Sequence, residues 1–100
     1  MMTREALIKK LRKESDALKA DFGVKRIAIF GSFASDTQTS RSDVDVVVEL
    51  DRPLGFRFFD LARKIERIVG KRADILTAEA LKSIRVKEIA RSIKKELRYV

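Results

Sequence analysis

The sequence predicts an α/β (α+β) fold, and three observations carry the prediction. Short runs rich in branched apolar residues, VKRIAIF over 24–30, VVVEL within 43–50 and ADILT within 71–77, read as strands. Around them, apolar residues recur at three- and four-residue spacing over 4–20, 56–69 and 79–97, the period of helices that lie on a sheet. Turn-forming residues, among them Gly23, Pro53, Gly55 and Gly70, fall between these stretches and punctuate them. The expected order is helix, strand, short helix, strand, helix, strand, helix. A chain of 100 residues without repeats, linkers or low-complexity segments is expected to form one domain over 1–100.

Each element has its own grounds. Residues 4–20 place Leu7, Leu11 and Leu18 at helical spacing with charges between them, and Phe22 and Gly23 close the helix. The strand VKRIAIF runs into Gly31 and Ser32, which open a short helix. Asp43, Val44 and Asp45 begin the second strand. Side chains alternate faces there, so Asp43 and Asp45 point the same way, about 7 Å apart at Cβ. Val44, Val46, Val48 and Leu50 point into a core. Over 56–69, Phe58, Leu61, Ala62, Ile65, Ile68 and Val69 form one stripe, while Arg57, Asp60, Arg63, Lys64 and Arg67 face outward. After Gly70 a third strand sets Ala73 and Ile75 on one face and Asp74 and Leu76 on the other. A last helix over 79–97 repeats the apolar spacing with Leu81, Val86, Ile89, Ala90, Ile93 and Leu97.

Composition narrows the chemistry. With no cysteine there is no disulfide framework and no thiolate metal site. With no histidine, the usual general base and the commonest zinc ligand are both missing. Acid and base work therefore falls to carboxylates. The chain shows no apolar signal core and no run long enough to span a membrane, so a cytoplasmic location and no membrane partner are expected.

The chemistry concentrates between residues 31 and 45. Gly31 lets a backbone approach a phosphate without a Cβ in the way, and Ser32 offers a hydroxyl and an N–H at a helix start, where an anion is favoured. Ten residues later come Asp43 and Asp45, two carboxylates on one strand face. Magnesium suits such a pair, because it takes oxygen ligands and is held by one or two carboxylates together with substrate phosphates. Asp74, an isolated acid in an apolar strand, is the candidate third ligand for a two-ion site. Singly, each residue has a plainer reading. Ser32 is a helix cap, Asp43 a turn residue, and Asp74 a charge that protects a sheet edge. Asp45 is harder to explain away, because Val46, Val47 and Val48 follow it directly in the strand. Glu49 shares the face of Asp43 and Asp45 but lies farther along, and reads as peripheral.

Gly-Ser, ten residues, then Asp-x-Asp is the signature of the DNA polymerase β superfamily, and this chain resembles its minimal nucleotidyltransferases (MNT), with Gly31, Ser32, Asp43 and Asp45 matched in spacing. The resemblance covers nearly the whole chain. It implies a polymerase β-like fold with a small mixed β-sheet and flanking helices. It assigns Asp43, Asp45 and Asp74 to catalysis and to Mg2+, two ions in all, and Gly31 and Ser32 to the phosphates of ATP or another NTP. By this pattern the chain is most similar to MntA-type antitoxins, which are encoded beside a HEPN-domain ribonuclease toxin. Active members silence it by moving AMP from ATP onto a toxin tyrosine. The implied partner is therefore a HEPN-type toxin. One departure stands out: Ser35 and Asp36 occupy positions where relatives often carry Arg-Gly. Two other readings follow, an antitoxin of weak catalysis that acts by binding alone, and a basic nucleic-acid-binding module.

The net charge of +8 bears on the last of these. Residues 1–50 hold nine Lys or Arg against eight acids, and residues 51–100 fourteen against seven, so the surplus lies in the second half. A basic face attracts ATP, nucleic acid or an acidic partner. Only one Tyr accompanies the charges and no stacking pattern is visible, which favours a solvated helical surface over direct nucleic-acid recognition. Phe56, Tyr99 and Val100 are expected to be exposed apolar contributors to a protein contact.

Overall fold

The structure, a computed structural model, describes residues 2–83 and 87–100. Helix α1 (Arg4–Lys13) starts where the Thr3 hydroxyl accepts from the Ala6 N–H at 3.1 Å, a side-chain cap for one of the unpaired N-terminal donors. Its Leu7 and Leu11 are fully buried, each stabilising the fold by roughly 2 kcal/mol through the apolar surface removed from water. The single helix expected over 4–20 is broken here. Glu14 takes φ −97° and ψ 2°, its N–H bonds back only three residues to Leu11, and the Ser15 hydroxyl donates to the Arg12 carbonyl at 2.8 Å. A second helix, α2 (Ser15–Phe22), then carries Leu18 and Phe22 into the core and is capped by Gly23.

Strand β1 (Val24–Phe30) follows, then the five-residue helix α3 (Gly31–Ser35) and strand β2 (Val44–Leu50). The β2 ladder begins at Val44, so Asp43 sits at its mouth and not within it. Helix α4 (Arg57–Val69) crosses over to β3 (Ala73–Thr77), which permits β2 and β3 to pair in parallel. Leu61, Ile65 and Val69 are its buried stripe, with Arg57, Asp60, Arg63 and Arg67 outward, as the spacing predicts.

The helix expected over 79–97 is described as two pieces, α5 (Ala78–Lys82) and α6 (Lys87–Glu96). Of the expected stripe, Val86 and the side chains of Ile89 and Ala90 lie outside what the structure describes. Thr77 caps α5 by accepting from the Ala80 N–H at 3.0 Å. A short strand, β4 (Arg98–Tyr99), is a finding the periodicity did not predict. It pairs antiparallel with β1 at Ala28 and Ile29, and the Val100 N–H donates to the Ile27 carbonyl at 2.9 Å. Val100 is consequently packed against the core and not exposed as expected, whereas Phe56 and Tyr99 are exposed.

The four-stranded sheet has the order β3-β2-β1-β4 and is mixed, antiparallel for β2-β1-β4 and parallel for β3-β2. Ile27, Ile29, Val44, Val46 and Val48 line one face and pack with α1, α2 and α4 to form the core. Ala28, Asp45, Val47 and Glu49 occupy the other. Leu81 of α5 is buried on that side, and the end occupied by Asp45 carries the polar groups.

Candidate active site

Asp45 is placed by the strand. Its neighbours Val44 and Val46 have no exposed surface, so the alternation of β2 sends Asp45 to the opposite face, where it is half-buried. Two cross-strand registers bring the other site residues to it. Phe30, immediately before Gly31, lies opposite Asp45 on β1, and Asp74 lies opposite Asp45 on β3. Three segments distant in sequence therefore meet at one carboxylate.

A side chain at Gly31 would be strained. Its φ of 70° lies in the left-handed region, which disfavours L side chains, and a Cβ at this position would collide with Oδ2 of Asp45. The turn thus leaves a close approach between backbone and carboxylate that glycine permits without strain. Ser32 follows in the first turn of α3 and is half-buried. At the far end of this helix the departure from Arg-Gly is absorbed by the fold. Asp36 takes φ 62°, the left-handed conformation for which glycine is customary and which Asp tolerates better than most residues. The Ser35 hydroxyl lies 3.2 Å from the Gly31 carbonyl, 3.3 Å from the Ser32 carbonyl and 2.8 Å from the Thr37 hydroxyl, and the Thr37 N–H donates to the Ser32 carbonyl at 2.9 Å.

The electrostatics centre on Asp45. Its carboxyl is pushed above the ordinary carboxylate range, first by burial, then by the charge of Asp74, then by that of Asp43, and further by a hydrogen bond with Asp74 that holds the proton. Both other predicted acids thus act on Asp45. They do not form a ready-made cage: among the described residues, no three His, Cys, Asp or Glu side chains are gathered closely enough to hold a metal ion. Carboxylates without a counter-charge repel, and Asp43 and Asp74 are both exposed to water. A negative cluster beside a turn that admits no Cβ is nevertheless the donor set a hard cation with phosphates needs, so the residues present fit magnesium. Asp74 also matches its plainer reading, since β3 is an outer strand of the sheet. Glu49 is peripheral as expected, 3.9 Å from Arg26, and the exposed Arg41 only flanks the motif.

Periodicity did not reveal the side chains that hold this region from outside. Arg4 of α1 donates to the Ala34 carbonyl at 3.0 Å, and Lys71 donates to the Ser40 carbonyl at 3.2 Å. Both ties span some thirty residues of sequence. No spacing rule signals such contacts.

The sequence matches the nucleotidyltransferase domain family over residues 8–100. The chain belongs to this family. A Methanocaldococcus jannaschii relative, provisionally named a protein adenylyltransferase, is 37% identical over 100% of both chains. The Thermococcus cleftensis protein adenylyltransferase MntA is 32% identical over 100% of this chain and 98% of its own. Among solved structures, one provisionally described as a minimal nucleotidyltransferase superposes with a TM-score of 0.74 at 23% identity, covering 97% of this chain and 95% of that one. A toxin-antitoxin crystal structure with AMP-PNP superposes at 0.64 and 21% identity, covering 98% and 72%. The structural likenesses show the nucleotidyltransferase fold, and with the family match they bear out the resemblance read from Gly31, Ser32, Asp43 and Asp45. The protein is a nucleotidyltransferase.

Proposed function

We propose that this nucleotidyltransferase moves AMP from ATP onto a hydroxyl of a partner protein, and that the partner is a HEPN-type ribonuclease toxin which it silences as an antitoxin. The observation that carries the site is the meeting at Asp45 of Gly31, Asp43 and Asp74. The acceptor is argued from the relatives, which are named for protein adenylylation, and from fold neighbours crystallised as the toxin-antitoxin pair MntA-HpeT.

Asp43, Asp45 and Asp74 are the oxygen donors that would hold magnesium. Bound there, the ions supply charge neutralisation at the α-phosphoryl group and acidify an approaching hydroxyl. The chain's own groups do the rest. Gly31 admits the phosphates to the backbone, and Ser32 supplies an N–H and a hydroxyl to the departing pyrophosphate. Asp74, exposed on the outer strand, is open to the acceptor and takes its proton. The bond formed is from the acceptor oxygen to the α-phosphorus, and the bond broken is from that phosphorus to pyrophosphate.

The test captures proteins from the native lysate on this chain with magnesium and ATP, and weighs them intact beside an Asp43→Ala, Asp45→Ala control. A captured protein that gains the mass of AMP only on the wild-type chain is the expected result, and sequencing it checks the toxin class. Capture without mass gain would replace enzymatic silencing by silencing through binding alone.

A further inference from the structure

The loop between α3 and β2 ends at Asp43, the one predicted ligand that no strand holds. Within it, the Thr39 N–H donates to the Ser42 hydroxyl at 2.9 Å and the Ser42 N–H to the Thr39 carbonyl at 3.1 Å, which closes a local turn without fixing where the turn sits. Two ties bracket Asp43, and both come from the two residues ahead of β3. The Lys71 ammonium donates to the Ser40 carbonyl at 3.2 Å while lying 5.6 Å from the centre of the Phe33 ring. The Arg72 carbonyl accepts from the Val44 N–H at 3.0 Å. Asp43 is bracketed between these anchors at residues 40 and 44, which are held by residues three and two positions before Asp74.

We propose that Lys71 is a positioning residue: by donating to the Ser40 carbonyl while facing the Phe33 ring, it holds Asp43 in register with Asp45 and Asp74 for joint use on the metal-bound nucleotide. The proposal rests on the assignment of the three acids to magnesium given above. The physical case is one of geometry. A charged donor on a carbonyl is among the stronger hydrogen bonds, and the ring's face adds attraction for the same ammonium. Phe33 is buried in the core, so the ring that the ammonium faces is held by packing. Arg72 contributes only through its backbone, so its side chain is not part of the device. A carboxylate displaced by an ångström no longer shares an ion with its neighbours, which is why positioning groups have large effects at a distance.

The test compares Lys71→Met and Lys71→Arg with the wild type and with Asp45→Asn, by three readouts. Amide hydrogen exchange at Ser42 and Val44 is expected to quicken about tenfold in Lys71→Met and return near wild type in Lys71→Arg, whose guanidinium also donates and stacks. Calorimetry with ATP is expected to show binding weakened about tenfold by Lys71→Met in magnesium and unchanged in EDTA, because Lys71 acts through Asp43 and not on phosphate. The thermal midpoint stays within a few degrees of wild type. Equal weakening in magnesium and EDTA overturns the proposal, since it makes Lys71 a phosphate contact. Unchanged exchange at Ser42 and Val44 overturns it as well. If Asp45→Asn weakens magnesium-ATP binding and Lys71→Met does not, only the role of Lys71 fails. If neither does, the magnesium assignment fails with it.

Discussion

The two faces of β2 divide core packing from the candidate site within seven residues. Val44, Val46 and Val48 have no exposed surface and fasten the sheet to α1 and α4, while Asp45 on the opposite face gives up stability, since burial and two neighbouring carboxylates oppose its charge. A strand's period of two separates these duties without a boundary in sequence. The comparison teaches that the acid is not tolerated at the edge of the core but directed away from it, at a cost the valines offset.

The sharpest way to test that division is Asp45→Asn. Transfer is expected to fall on the order of a thousandfold while the circular dichroism spectrum is unchanged. A variant retaining transfer would remove Asp45 from the chemistry altogether. Gly31→Ala comes next. The left-handed backbone and the collision with Asp45 Oδ2 together are expected to cost about 2–3 kcal/mol in urea unfolding, with loss of magnesium-ATP binding in titration. Wild-type stability in this variant would show that the turn has room the structure denies it.

On the core face, Val46→Ala removes two fully buried methyl groups and is expected to cost about 2 kcal/mol, read as a lower urea midpoint, with transfer by the folded fraction kept. Lost transfer at full folding would mean that the two faces are not separable. The smallest effect is on pH dependence in EDTA. The folded protein holds the Asp45 proton to higher pH than the unfolded chain does. Stability from the neutral form is therefore full below the ordinary carboxylate range and lost as pH rises through the raised folded value. Asp45→Asn should accordingly melt a few degrees above wild type at pH 7, with the gap closing near pH 3. A gap that widens on acidification would reverse the assigned direction.

What could be read in advance followed locality. The strand alternation at Val44, Val46 and Val48, the stripe of Leu61, Ile65 and Val69, and the spacing from Gly31 to Asp45 are set by neighbours in sequence, and the structure keeps them. The left-handed turn at Asp36 is one that Asp tolerates better than most residues. The break at Glu14 was not, because Leu7, Leu11 and Leu18 keep helical spacing across it while a hydroxyl three residues from a carbonyl interrupts the backbone. Strand β4, the packing of Val100, and the ties from Arg4 and Lys71 depend on partners far along the chain, which no local pattern encodes. The grouping of Asp43, Asp45 and Asp74 stood between these cases. Spacing paired the first two, the third stood out as an isolated acid in an apolar strand, and the parallel register of β3 set it opposite Asp45.

Strand β4 has a consequence for the order in which the molecule is completed. It pairs Ala28 and Ile29 with Tyr99 and Arg98, so one side of β1 keeps its hydrogen-bonding groups unpaired until residues made long afterwards leave the ribosome. All three acids have emerged by then. A nascent chain thus carries the three candidate acids while a sheet edge is still open to other chains, and the interval before β4 docks is when unwanted strand pairing is most easily begun.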